Sequence, residues 1–334
     1  MTTFYNFFFK RNRVGMESKK IIVTGGAGFI GSNMVELLLK EGHSVEVVDN
    51  LSSTGDDRFL KPLYELGDLK LTKIDITKRE EALKLKADSI IHFAANSDVR
   101  HGFENPEKDF DSNILGTFNI LEAVRKNGIS DLMFSSSSTV FGVAKVLPTP
   151  EEYGPLLPIS SYGASKLSDE AMISAYSNYY GIKSTIFRFA NIVGKNSTHG
   201  VIFDFIKKLV KDGKKLEILG DGTQRKSYLH VSDCIRAMVF SHEKTKDIDV
   251  YNIANEGTTS VMKIADMVIE EMGAKGVEKM LVKTEDGGGW KGDVKVAELS
   301  PVKLYSKGWK NTYSSDEAVR KAVKETIEQL GLGS

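Results

Sequence analysis

Apolar and polar positions along the chain change period in a regular way. Ile21-Ile22-Val23 reads as a buried strand; it passes through a glycine-rich segment, Thr24 to Gly31, into the helical stretch Ser32 to Lys40. Val45-Glu46-Val47-Val48 reads as a second strand, and β-like runs recur at Leu69 to Ile74, Ser89 to Phe93, Leu132 to Ser135 and Ser184 to Phe187. Helical runs stand between them. Pro106 to Lys126 carries Phe110, Ile114, Leu115, Phe118, Leu121 and Val124 at helical period, and Tyr162 to Tyr180 is long enough to pack on a sheet and against a partner. Strands alternating with helices predict an α/β protein built on a parallel, doubly wound sheet.

Past Asn191 the pattern loosens into turn-rich segments such as Gly220-Asp221-Gly222 and Gly287-Gly288-Gly289, short strands, and a closing amphipathic helix from Ser314 to Leu330. This predicts a smaller α/β substrate domain (191–229 plus 257–330) beside a nucleotide domain (19–190 plus about 230–256). Val250 to Ala254 reads as a buried strand that returns to the first sheet. Met1 to Arg13 carries five aromatic residues followed by Lys10, Arg11 and Arg13, with the charges on the wrong side for a signal peptide. Residues 1–18 are set aside as an extension, with Met16 standing just before the first strand.

The glycine segment is the most specific local signal. Gly26, Gly28 and Gly31 fit G-x-G-x-x-G between a strand and a helix, the order that forms a Rossmann-type dinucleotide site. Residues without side chains let the main chain turn tightly and approach a pyrophosphate. A helix beginning near Phe29 aims unpaired amides and its positive dipole end at that anion. The second strand ends in Asp49, 21 residues past Gly28, where a carboxylate can accept hydrogen bonds from a ribose 2′-hydroxyl. The bland reading of such an Asp is turn chemistry. Asn50, Leu51, Ser52 and Ser53 offer no arginine for a 2′-phosphate, and Asp49 would repel one, so NAD is favoured over NADP.

Lys plus Arg number 45 and Asp plus Glu number 45, a balance that leaves no electrostatic footprint for nucleic acid or a membrane surface. No apolar run is long enough to span a bilayer. The single Cys234 excludes an intrachain disulfide and a cysteine metal cluster, which fits a reducing cytosol. The six histidines contain no pair at metal-binding helical spacing, so no metal is assigned.

Tyr162 and Lys166 stand four apart on an expected helix and so share one face. A Tyr acting as base near neutrality must fall roughly 3 units from its ordinary pKa of ~10, and a nearby ammonium has the right sign. Tyr179 and Lys183 show the same spacing, but Gly181 and the strand that follows mark that pair as a decoy. Ser135 to Ser138 lie at the C-terminal end of an expected strand, the edge where doubly wound sheets bind ligands.

With these residues in view, the chain over about 19–330 resembles the extended short-chain dehydrogenase/reductases, and within them the UDP-glucose 4-epimerase group of NAD-dependent sugar epimerases. The resemblance is carried by Thr24 to Gly31, Asp49-Asn50-Leu51, Asp75-Ile76, His92 to Ala95, Asn113 to Thr117, Ser135 to Gly142, Tyr162 to Lys166 and Gly292-Asp293. It implies an NAD site made of Gly25, Gly28, Phe29, Ile30, Gly31, Asp49, Asn50, Leu51, Ser52, Ser53, Asp75, Ile76, Phe93, Ala94, Ala95, Ser112, Tyr162, Lys166 and Ala190. It makes Ser137, Tyr162 and Lys166 the catalytic set, Ser137 preceding Tyr162 by 25 residues. It implies that Ser137, Tyr162, Asn191, Val201, Ile202, Arg225, Lys226, Tyr228, Lys291 and Asp293 meet a UDP-hexose substrate. A homodimer joined through the helices Pro106 to Lys126 and Tyr162 to Tyr180 is implied as well.

Two arginines usual in that family are replaced here by Lys226, with Arg225 one position early, and by Trp290 beside Lys291. Lysine is a point charge, whereas arginine grips a phosphate bidentately. Relatives that eliminate water or carbon dioxide carry carboxylates where Ser138 and Thr139 stand, so elimination lacks its acid and base here. The position of an aromatic sugar-side gate is Ala297, which implies room for an N-acetyl group. The expectation is NAD-dependent epimerisation at C4 of UDP-glucose and UDP-galactose. A net nucleotide-sugar dehydrogenase or reductase and a silent NAD-bound scaffold are the alternatives.

Overall fold

The computed structural model describes residues 18–97, 101–282, 289 and 294–332. In the first part of the chain, β1 (Lys20–Thr24), α1 (Phe29–Lys40), β2 (Ser44–Asp49), β3 (Leu69–Lys73), the short α2 (Arg79–Ala82) and β4 (Ser89–His92) alternate as the period predicts. The expected long helix follows in three pieces, α3 (Pro106–Asp109), a π-helical segment Phe110–Leu115 and α4 (Gly116–Asn127), then β5 (Asp131–Ser137). Gly128, at φ +69°, ends that helix in the left-handed conformation open to glycine. Next come α5 (Ser161–Tyr180) and β6 (Lys183–Phe189). Ser160 caps α5 by accepting from the Gly163 amide, and Gly181 at φ +66° stops it. The decoy pair is thereby split: Tyr179 is 79% exposed in the last turn of α5, while Lys183 starts β6.

Further on lie β7 (Asn191–Val193), α6 (Val201–Lys211), β8 (Lys215–Leu219), β9 (Arg225–Lys226), β10 (Tyr228–His230), α7 (Val231–Lys244) and β11 (Ile248–Ile253). The chain closes with β12 (Thr259–Ser260), α8 (Val261–Glu271), β13 (Glu278–Val282), β14 (Val296–Ala297), α9 (Val302–Ser306) and α10 (Ser315–Gln329). Ser314 and Glu317 form a reciprocal capping box at the start of α10, where the closing helix is expected. The N-terminal extension lies outside the described residues.

The central sheet has seven strands in the order β11-β6-β5-β4-β1-β2-β3, every neighbouring pair parallel. From β1 the chain runs outward to β3 and crosses back to β4, so the winding reverses between β1 and β4. In this architecture the ligand crevice lies at such a reversal, outside the C-terminal strand ends.

Alternation along each strand fills both faces. Val23, Val47, Phe187 and Tyr251 pack with Met34 of α1 and Met238 of α7 on one face. On the other face Ile22, Val48, Phe134 and Ile186 pack with Ile120 of α4 and Ile173 of α5. Full burial of each such side chain is worth about 1.5–3 kcal/mol, which anchors the strand ends that carry the polar groups described below. Another core forms between α6, α8, α10 and β8, around Ile206, Ile218, Val268 and Val323.

Candidate active site

Gly25 turns the chain at φ +68°, and a Cβ there would lie 2.7 Å from the Ala94 amide nitrogen. A Cβ on Gly31 would collide with the Gly25 carbonyl, so the first turn of α1 packs directly on the glycine loop. Gly28 is the N-cap of α1, and among the described residues no side chain caps the helix, which leaves its first amides, from Phe29 and Ile30, open at the C-terminal edge of the sheet.

Asp49 braces this loop. Its Oδ2 accepts from the Ala27 amide at 3.0 Å and its Oδ1 from the Leu51 amide at 2.8 Å. Burial pushes its pKa up, while those two amides pull the other way. The turn reading and the ribose reading of Asp49 are thus compatible, since a carboxylate has about four acceptor positions and two are used. Asn50, Ser52 and Ser53 are exposed, and Leu51 is half-buried. Asp75 accepts from the Thr77 amide and hydroxyl at 3.0 and 2.8 Å, closing its own turn, and Ile76 is buried in the sheet core. Beyond β4, the Phe93 amide donates to the Thr24 carbonyl and the Ala94 amide to Thr24 Oγ1, which sets Phe93, Ala94 and Ala95 beside the glycine turn.

Ser135 to Ser137 finish β5 at the same edge. Ser137 Oγ accepts from the Thr139 amide at 3.2 Å and hydroxyl at 3.0 Å, and it stands close enough to the Tyr162 phenol to favour its ionised form. The fold therefore brings Ser137, Tyr162 and Lys166 together across β5 and α5. Lys166 is 2% exposed, with Nζ 4.6 Å from the centre of the Phe134 ring. Burial lowers its pKa, against the opposing pull of Asp169, Glu170 and Asp109.

The expected depression of the Tyr162 pKa is not met by the protein's own groups. Burial pushes the phenol up to about 12; the nearby Ser137 hydroxyl works against the rise, and Asp109 and Asp169 add to it. The reason is depth, because desolvation penalises the phenolate more than the Ser137 contact favours it.

The π-helical segment places Asn113, fully buried, between two elements of the site. Its Nδ2 donates to Ser165 Oγ at 2.8 Å, Ser165 Oγ donates to the Tyr162 carbonyl at 2.8 Å, and its Oδ1 accepts from the Asn96 amide at 2.7 Å. An i→i+5 turn shifts the side-chain phase within the long helix, a geometry the apolar period alone does not reveal. Ser112, its neighbour, is half-buried.

Ala190 follows β6, and its amide donates to the Ile253 carbonyl. Asn191 opens β7, its Nδ2 donating to the Ser227 carbonyl at 3.3 Å. Val201 and Ile202 start α6, and the Ile202 side chain belongs to the core around that helix, as does that of Tyr228. Arg225 is exposed on β9 and Lys226 partly so, and the pair runs parallel to Val296 and Ala297 of β14. Trp290, Lys291 and Asp293 lie outside the described residues.

Several site residues escape the sequence reading. Arg188 Nη2 lies 2.7 Å from Glu170 Oε2, and Ser136 Oγ donates to Glu170 Oε1 at 2.5 Å. Thr24 Oγ1 lies 2.6 Å from His92 Nδ1. The available signal is position: Asp169 and Glu170 fall one turn beyond Lys166 on the same helix face.

The chemistry of this crevice suits a dinucleotide. A cradle closed to a Cβ at Gly25 and Gly31, a helix start open to an anion, and a buried amine with no hydrogen bond to a described residue make a Rossmann-type nucleotide-dependent enzyme. The model of the NAD dependent epimerase/dehydratase family matches residues 21–254, and the chain belongs to that NAD-dependent family. It is 35% identical to a putative UDP-glucose 4-epimerase of Methanocaldococcus jannaschii over 91% of this chain and 97% of the relative. It is 32% identical to a UDP-glucuronate 4-epimerase of Thermodesulfobacterium geofontis over 92% and 97%. A crystal structure of a UDP-galactose 4-epimerase superposes with a TM-score of 0.84 at 40% identity, over 93% of this chain and 99% of that one.

Proposed function

We propose that this protein epimerises C4 of a UDP-hexose, interconverting UDP-glucose and UDP-galactose through a transient 4-keto sugar. The observation that carries the reading is the placement of the Ser137 hydroxyl by the Tyr162 phenol at the strand edge beside the glycine turn, with Lys166 one helical turn away. NAD supplies, when bound, an acceptor for the C4 hydride and its donor on the return. Gly25, Gly28, Phe29, Ile30, Gly31 and Asp49 would hold it on the β1 side, with Phe93, Ala94 and Ala95 opposite.

Tyr162 removes the proton of the sugar 4-hydroxyl while Ser137 donates a hydrogen bond to the same oxygen. Lys166, when protonated, stabilises the Tyr162 phenolate against the burial that disfavours it. On the return half, Tyr162 gives its proton back to the 4-oxygen, and the chain ends unchanged. Asn191, Val201, Ile202, Arg225, Lys226, Tyr228, Lys291 and Asp293 are assigned to the nucleotide-diphosphate end, the two lysines serving as point charges there. Ile202, a core residue in the first turn of α6, offers chiefly its main chain.

A sugar that must present both faces is held loosely and its nucleotide firmly. The small Ala297 extends this reading to N-acetyl hexoses. Good turnover of UDP-glucose with none of UDP-N-acetylglucosamine would reject that extension. We assign the protein to the cytosol, where Cys234 stays reduced, and to a homodimer. Phe110 and Leu115 on one long helix and Tyr179 and Tyr180 on the other are exposed enough to contribute. The residues 191–229 and 257–330 are read as the substrate domain.

Purified protein incubated with a panel of nucleotide sugars and no added cofactor tests the proposal. Interconversion of UDP-galactose and UDP-glucose supports it. Accumulation of reduced cofactor with a keto product would replace it by a net dehydrogenase.

A further inference from the structure

Lys166 must stay charged to hold a phenolate, yet it is placed where charge is disfavoured. It is 2% exposed above the Phe134 ring and makes no hydrogen bond or ion pair with a described residue. A buried ammonium without a counter-charge tends to give up its proton.

The groups facing it are Tyr162, Asp169 and Glu170 on α5, Asp109 on α3, and His92 on β4. His92 carries no charge near neutrality, because burial and Lys166 hold its pKa down at about 3. Glu170 is neutralised by Arg188, which reaches both of its carboxylate oxygens, and it also accepts from Ser136. Asp109 accepts from Asn96 Nδ2 at 2.7 Å and from Ser161 Oγ at 2.5 Å.

Asp169 differs from both. It is 1% exposed, it lies three residues after Lys166 on the same helix face, and its Oδ2 has no hydrogen-bond partner among the described residues. Burial pushes its pKa up to about 7, against the opposing pull of Lys166 and of the Thr117 hydroxyl. Thr117 Oγ1 in turn lies 3.1 Å from His92 Nε2, and His92 Nδ1 lies 2.6 Å from Thr24 Oγ1. This buried polar chain runs from the strand end at the glycine turn to α4, which packs beside the helix that carries Lys166.

We propose that Asp169 is a positioning residue, the buried counter-ion that keeps Lys166 protonated one turn from Tyr162. The effect on turnover rests on the epimerase reading; the charge assignment does not.

The test follows Lys166 itself. In protein labelled with ¹³Cε-lysine, the Lys166 resonance is assigned by its loss in Lys166→Met and titrated with pH. Asp169→Asn, nearly isosteric, should lower its midpoint by about one to three pH units, and Thr117→Val by less in the same direction. A midpoint within about 0.3 units of the parent in Asp169→Asn overturns the proposal. Should that variant fail to fold, an unmoved midpoint in Thr117→Val overturns it instead. With UDP-galactose as substrate, the alkaline limb of kcat should move to lower pH in Asp169→Asn with KM retained. An even loss across all pH values marks a merely structural residue and also contradicts it. If the parent protein turns over no UDP-hexose, the epimerase reading fails, and the resonance titration still decides the counter-ion.

Discussion

Arg188 Nε lies 3.0 Å from Glu170 Oε1 while its Nη2 lies 2.7 Å from Oε2, a two-pronged ion pair with both side chains buried. The pair ties β6 to α5 behind the reactive residues, and Ser136, the neighbour of Ser137, hangs on the same carboxylate. Glu170→Gln strands the Arg188 guanidinium in the interior and should destabilise the protein by about 3–5 kcal/mol, read from the urea midpoint. A loss below about 1 kcal/mol would mean that water or a moved side chain satisfies Arg188.

Tyr162→Phe removes one oxygen and little volume. The account expects kcat to fall by about 10²–10⁴ with the NAD content of the purified protein unchanged, measured by chromatography after acid release. Loss of NAD together with activity would assign Tyr162 to binding rather than to proton transfer.

Gly31 and Gly28 make a graded pair. A Cβ at Gly31 collides with the Gly25 carbonyl and sits 2.8 Å from Gly26 Cα, whereas one at Gly28 lies 3.3 Å from the Gly25 carbonyl. Gly31→Ala should therefore lose NAD and lower the Tm, and Gly28→Ala should do so less. The reverse order would contradict the loop packing described here.

Burial alone would raise the Glu325 pKa, but His230 Nε2 at 2.9 Å and Lys321 Nζ at 2.6 Å outweigh it and hold the carboxyl at about 2. A carboxyl depressed in the folded state contributes stability that is complete above its ordinary value of 4.5 and is lost as pH falls toward 2. Glu325→Gln should flatten the stability curve in that acid window, followed by denaturant midpoints at successive pH values. An unchanged acid limb would remove Glu325 as its source.

How much of this could be seen in the chain depended on whether a feature is local. The turn at Gly25 to Gly31, Asp49 at a strand end, and Tyr162 and Lys166 at one-turn spacing are encoded within a few residues of each other, and each falls in the expected element. The π-helical segment around Asn113 is invisible to an apolar period, because the residues that reward it, Asn96 and Ser165, come from other elements. Asp169, Glu170 and Arg188 read as surface charges in a sequence and are buried only because β5, β6 and α5 close over them. The depressed phenol expected from helical spacing fails for the same reason, since spacing fixes proximity and tertiary burial fixes the solvation cost.

The central claim is that the hydrogen at C4 is borrowed and returned within one active site. UDP-galactose deuterated at C4, incubated with the protein in ordinary water, tests it by mass spectrometry of the UDP-glucose formed. Full retention of deuterium at C4 is the expected result, and washout of the label into solvent would contradict the account.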